Sequence, residues 1–191
     1  MAEASGSGSS VLLQAARHLI AENGYTAMTM RQLAGRMGLL PGSLYHHVSC
    51  KQDLLLSVLL EIVEQRIKGW EQGSFSNDLR GFIGYLLQRQ RAHPDEELLL
   101  RHELRHLDPC QRSWLNKSLA RFEQPLLHII EQSHPGTRFA AHDASRICAA
   151  IFAVVEAADS LRQRGIDEAW IETRTHHMCS VLLASPCKAL S

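Results

Sequence analysis

Apolar residues recur along almost the whole chain at the three- and four-residue spacing of a helix. Val11, Leu12, Ala15, Ala16, Leu19 and Ile20 share one face. Asn23-Gly24 after them reads as a helix stop, since both residues tolerate the left-handed backbone that a C-cap requires. Thr29-Met30-Arg31-Gln32 then forms a capping box, in which the Thr29 hydroxyl accepts from the Gln32 amide and the Gln32 side chain reaches back. Leu33, Ala34 and Met37 give this short second helix its inner face, and Gly38 ends it. Pro41 suits the first position of a third short helix, where its missing N–H would be unpaired anyway. That helix is expected to carry Ser43, Leu44, Tyr45, His46, His47 and Val48. A longer apolar series follows, from Leu54 through Ile67 to Trp70, and ends at a Gly/Ser-rich loop over 72–77.

The same period continues beyond the loop. Leu79, Phe82, Ile83, Leu86 and Leu87 form one stripe. Pro94 opens another helix with Asp95, Glu96 and Glu97 against the positive end of its dipole. Asp108-Pro109 reads as a cap and first residue of the helix carrying Trp114, Leu115, Leu119, Phe122, Leu126 and Ile130, which Pro125 is expected to kink or split. His134-Pro135-Gly136 is a break. Ile147 to Leu161 supply the next helix, stopped at Gly165, and Trp170, Ile171, Met178, Val181 and Leu182 the last. No alternating strand pattern and no repeat is found, so the expected fold is all-α with about nine helices.

Composition narrows the function classes only slightly. The chain has 191 residues, enough for one or two small domains with a real core. Twenty basic residues balance twenty acidic ones, which excludes a strongly basic binder but leaves room for a local patch. No apolar run approaches the roughly 20 residues that span a bilayer, so no membrane partner is expected. Residues 1–7 read as a flexible tail, and the small polar start lacks the organisation of a signal peptide. Cysteines at 50, 110, 148, 179 and 187 are odd in number with no CxxC spacing, and read as free thiols of a reducing cytoplasm.

Three short helices, the second and third joined by a tight glycine-containing turn, give a helix-turn-helix layout. Thr29-Met30-Arg31-Gln32-Leu33-Ala34, Met37-Gly38-Leu39, the run Gly42 to Val48, then Lys51 and Leu54-Leu55 resemble the TetR family of transcriptional regulators over about residues 8–67. The resemblance implies an N-terminal helix-turn-helix DNA-binding domain over 8–67, with its recognition motif at about 29–48. It also implies a larger helical effector-binding and dimerisation domain over 68–191. Carried over residue by residue, Thr29 and Arg31 would meet DNA at the groove rim. Pro41, Gly42, Ser43 and His47 would lie at the groove floor or its phosphates, with Tyr45 and His46 beside them, and Lys51 would touch a phosphate. Two departures stand out. Leu40 occupies a position where the family commonly has Ser or Thr as helix cap and phosphate contact. The stretch to Asp53 also sets only Arg17, Arg31, Arg36 and Lys51 against Glu3, Glu22 and Asp53, little charge for neutralising phosphates.

For the second part, the resemblance implies pairing of the last two helices with their copies. Ala150, Ala153, Val154, Ala157, Ile171, Met178 and Leu182 are the candidate interface. Phe82, Tyr85, Arg89, Trp114, Phe122, Phe152 and Glu156 are the candidate walls of an effector pocket, or else plain core and surface. His102-Glu103-Leu104-Arg105-His106 spells H-E-x-x-H, which on a helix would put two imidazoles on one face as zinc chemistry needs. Arg105 between the two histidines opposes a cation there. The reading is therefore a ligand-responsive, operator-binding homodimer, a repressor released by a small molecule, with no cofactor and no enzymatic activity. A metal-responsive regulator or metalloenzyme using His102, Glu103 and His106 is the alternative.

Overall fold

The computed structural model describes residues 4–133 and 141–184, so the expected break at His134-Pro135-Gly136 and Cys187 lie outside the described residues. Among them, nine α-helices and no strand are found. They are α1 (Ala4–Ala27), α2 (Met30–Arg36), α3 (Pro41–Leu44), α4 (Lys51–Gln72), α5 (Leu79–Ala92), α6 (Pro94–His102), α7 (Pro109–Gln132), α8 (Ala141–Gln163) and α9 (Glu168–Ala184). A 3-10 turn over Leu104–His106 separates α6 from α7. Residues 4–7, expected as tail, are the first turn of α1. Helix growth is cooperative, and the strong apolar stripe behind them extends the helix through weak helix formers. The helical path breaks at Gly24 as expected: within the span of α1 it takes φ 76° and ψ 153°, a non-helical conformation that only glycine adopts freely, and a second short helical stretch follows. Pro125 sits within the single helix α7.

The chain divides into two compact units, Met1–Ile67 with Asp95–Leu119, and Lys68–Pro94 with Ala120–Ser191. Residues 95–119 thus differ from the expectation that everything after 67 forms one body, and ion pairs explain why. Arg17 binds Asp95 through Nε and Nη2 and reaches Glu96 Oε1 at 3.2 Å. Arg66 Nε holds the other oxygen of Glu96 at 3.1 Å, and its Nη2 holds Glu97 Oε2 at 3.1 Å. Around these pairs the first unit buries Leu12, Ala16, Leu19, Ile20, Met28, Leu33, Leu44, Leu54, Leu55, Leu59 and Ile62. Each of these leucine, isoleucine and methionine side chains stabilises by about 1.5–3 kcal/mol.

In the second unit, Asp78 caps α5 by accepting from Gly81 N at 2.7 Å. The buried Gln90 ties α5 to α8 by donating to Val155 O at 3.0 Å and accepting from Arg162 Nη1 at 2.9 Å. Arg162 and Arg91 both engage Glu168 at the start of α9. The second unit therefore closes on a satisfied polar network as well as on apolar packing.

Candidate nucleic-acid interface

The α2–α3 pair owes its shape to one strong cap and one missing cap. Thr29 Oγ1 accepts from Gln32 N at 3.2 Å and Gln32 Oε1 accepts from Thr29 N at 2.8 Å, so the capping box is present. Leu33 and Ala34 are buried, which leaves Arg31 and Arg36 facing out. Gly38 at φ 66° turns the chain. Leu40 stands at the cap of α3 in extended backbone, 77% exposed and without a side-chain hydrogen bond. Its place before Pro41 fixes the helix start by backbone geometry alone.

Regular helix ends at Leu44, earlier than expected, and residues 45–47 continue as a turn closed by His46 N to Ser43 O and His47 N to Leu44 O. Leu44 and Val48 anchor this segment inward. The outer edge is then polar and open: Thr29, Arg31, Pro41, Gly42, Tyr45, His46 and His47 are exposed and Ser43 is half-buried. A single short helix presenting such an edge has the dimensions that a DNA major groove admits.

Charge on this edge is sparse. Arg36 is held by Glu22 at 2.7 Å, and that hydrogen bond pulls the Glu22 carboxyl below its ordinary range. Arg31 has no ion-pair partner among the described residues. Lys51, expected at a phosphate, instead turns toward the end of α1. Its Nζ donates to Thr26 O at 3.2 Å and stands 4.4 Å from the Tyr25 ring centroid, and burial lowers its pKa against the pull of Glu103.

The continuous helix that the H-E-x-x-H reading needs is not formed. α6 stops at His102 and the chain tightens into the 3-10 turn, so His102 and His106 do not share a helical face. Glu103 is buried instead, and among the described residues no group of three or more His, Cys, Asp or Glu could hold a metal ion.

Residues 12–58 match the family model of "Bacterial regulatory proteins, tetR family". Over that stretch, which is the α1–α4 reading unit, the chain is similar to the tetR family. The repressor KstR2 of Mycolicibacterium smegmatis is 36% identical over 61 residues, 32% of this chain and 30% of that protein. The aligned stretches span 30–38% of the lengths of the curated relatives they match. Across nearly the full length, a tetR-family regulatory protein from Rhodococcus RHA1 superposes with TM-score 0.73 at 18% identity, covering 92% of this chain and 94% of that one. AibR in complex with isovaleryl coenzyme A and operator DNA gives 0.70 at 17% identity, covering 89% and 96%. At such identities the likeness is one of fold.

With the tetR-like match confined to the N-terminal helices, the remaining candidates fall as follows. In the second unit Phe82, Phe122 and Phe152 form a triangle, with ring centroids 6.1, 6.3 and 5.9 Å apart. Tyr85 lies 5.8 Å from Trp70 and 5.3 Å from Phe75. In the sequence Trp70 reads only as the end of an apolar series and Phe75 as loop, so neither is a pocket candidate there. Arg89 is half-buried beside Gly69, where a Cβ would come within 3.3 Å of its Nη1. Trp114 does not join this cluster; it belongs to the first unit and is 53% exposed. Glu156 is exposed on α8.

α9 carries apolar residues on two faces. Ile171, Thr175 and Cys179 recur at i, i+4, i+8 and are buried within the unit, so Ile171 is unavailable to a second chain. Trp170, Met178 and Val181 lie on an exposed face, each about half exposed. On α8, Ala153 and Ala157 are exposed and Ala150 and Val154 half-buried, and Leu182 of α9 is half-buried.

Proposed function

We propose that the chain is a ligand-responsive, sequence-specific DNA-binding regulator, a homodimeric repressor that leaves a palindromic operator when a small molecule binds. The observation that carries this reading is the exposed polar edge of α2–α3, running from Thr29 and Arg31 to His47, over the buried Leu33, Leu44 and Val48. Two such edges on a twofold-related pair would read successive major grooves about 34–36 Å apart. The second unit serves as effector and dimerisation domain. Its exposed apolar stripe on α9 and the small residues of α8 favour close pairing of helices, and its six rings, Trp70, Phe75, Phe82, Tyr85, Phe122 and Phe152, offer apolar walls.

The curated relative KstR2 is named as a repressor, and AibR shares the fold while holding both isovaleryl coenzyme A and operator DNA. A short acyl thioester is therefore the first effector to test. The effector acts by binding one conformer better than the other, trading DNA affinity against ligand affinity. The role is regulatory, not catalytic, and belongs in the cytoplasm with the DNA. Selection from random duplexes, followed by mobility shift on the promoter upstream of the chain's own gene, tests the reading. A palindromic consensus with saturable, salt-sensitive binding is expected, and failure to select any consensus would refute it.

A further inference from the structure

Glu103 is the residue of the H-E-x-x-H stretch whose placement needs an explanation. At Gly24 the backbone leaves helical geometry, with φ 76° and ψ 153°. The Tyr25 N–H beyond the bend donates to Glu103 Oε1 at 3.4 Å, and a Cβ on Gly24 would stand 3.9 Å from that same oxygen. The carboxylate is buried, and its other oxygen, Oε2, lies 3.3 Å from His106 Nε2 yet accepts no hydrogen bond among the described residues. The His106 ring packs on Tyr25 at 4.8 Å between centroids. The His106 carbonyl accepts from Gln52 Nε2 at 2.7 Å, and Gln111 Nε2 donates to Asp53 Oδ1 at 2.9 Å.

These bonds bring residues 103–111 onto two particular points. One is the last turn of α1, which leads into α2. The other is the first turn of α4, which follows α3. The reading helices are therefore held at both their entry and their exit by a segment about 50 to 80 residues away in sequence. A half-satisfied buried carboxylate is an uneconomical way to cap one amide, and a site that keeps such a group calls for a reason beyond stability.

We propose that Glu103 is a positioning residue for DNA reading. With His106 it forms a clasp that fixes the angle at which α2–α3 leaves the rest of its unit, and so the distance between the two reading edges of a dimer. The inference rests on the DNA-binding reading above. It adds a residue that touches no DNA and sets which half-site spacing is accepted.

The experiment uses the full chain and the duplex chosen by selection, together with versions whose half-sites are moved apart or together by one and two base pairs. Wild type is expected to bind the selected spacing best. Glu103→Ala, checked as folded by circular dichroism, is expected to lose about tenfold on that duplex and to flatten the preference among spacings. Glu103→Gln keeps an acceptor for Tyr25 N–H and is expected to restore most of both. If Glu103→Ala does not fold, Gln52→Leu removes the grip from the α4 side and is expected to flatten the preference in the same way. Equal loss at every spacing, as a simple stability defect would give, overturns the proposal, as does a Glu103→Gln variant that behaves like Glu103→Ala. Wild type that selects no sequence at all would instead count against the DNA-binding reading.

Discussion

Glu96 has no exposed surface and sits between two guanidinium groups, those of Arg17 and Arg66. Glu96→Ala removes the shared carboxylate while Arg17 keeps Asp95 and Arg66 keeps Glu97, and an expected loss of about 1.5–3 kcal/mol in urea unfolding follows. Burial alone would raise the neighbouring Asp95 carboxyl, but the hydrogen bond and charge of Arg17 outweigh it and hold Asp95 below its ordinary range. A depressed acid lends stability above its unfolded pKa of about 3.9 and loses it as pH falls through the lower folded value. Melting temperature against pH is therefore expected to fall below about pH 4, and Asp95→Asn to flatten that acid limb. None of this network was legible in the sequence, because Arg17 and Glu96 stand 79 positions apart and neither interrupts a pattern. On the reading edge, Arg31→Ala is expected to weaken operator binding and to reduce the salt slope by about one if it meets a phosphate. His47→Ala is expected to weaken binding with less change in slope, both read by fluorescence anisotropy across a salt series.

Element starts and stops were the most readable part of the chain, because caps are local. The box at Thr29-Gln32 and the proline start of α3 depend on residues within one turn, and Thr29→Ala is expected to cost about 1 kcal/mol. Leu40 offers the converse test. Leu40→Ser supplies the side-chain cap that α3 lacks, and an expected gain of about 0.5–1 kcal/mol in stability should come with tighter operator binding, measured by thermal melting and mobility shift. The readings that failed needed an element to continue past its true end. H-E-x-x-H required helix through His106, where the chain had already tightened, and the recognition helix was expected to Val48 where regular helix stops at Leu44. α9 hid its arrangement for a different reason. Apolar residues lie on adjacent faces, so period alone could not separate the inward Ile171 from the outward Met178.

At the scale of the whole molecule, the proposed pairing is tested at the exposed residues of α8 and α9. Ala157→Glu or Met178→Glu places a charge in the proposed pairing surface. Each is expected to shift sedimentation toward monomer and to remove most operator affinity, since each half-site alone is bound weakly. The division of the chain carries a further consequence. Residues 1–67 look like a portable cassette, yet Arg17 and Arg66 bind carboxylates, and the Tyr25 N–H finds its acceptor, between Asp95 and Glu103. A swap of the first 67 residues onto a foreign body would remove those bonds, and grafting this reader elsewhere with them intact would require transplanting the distant stretch too.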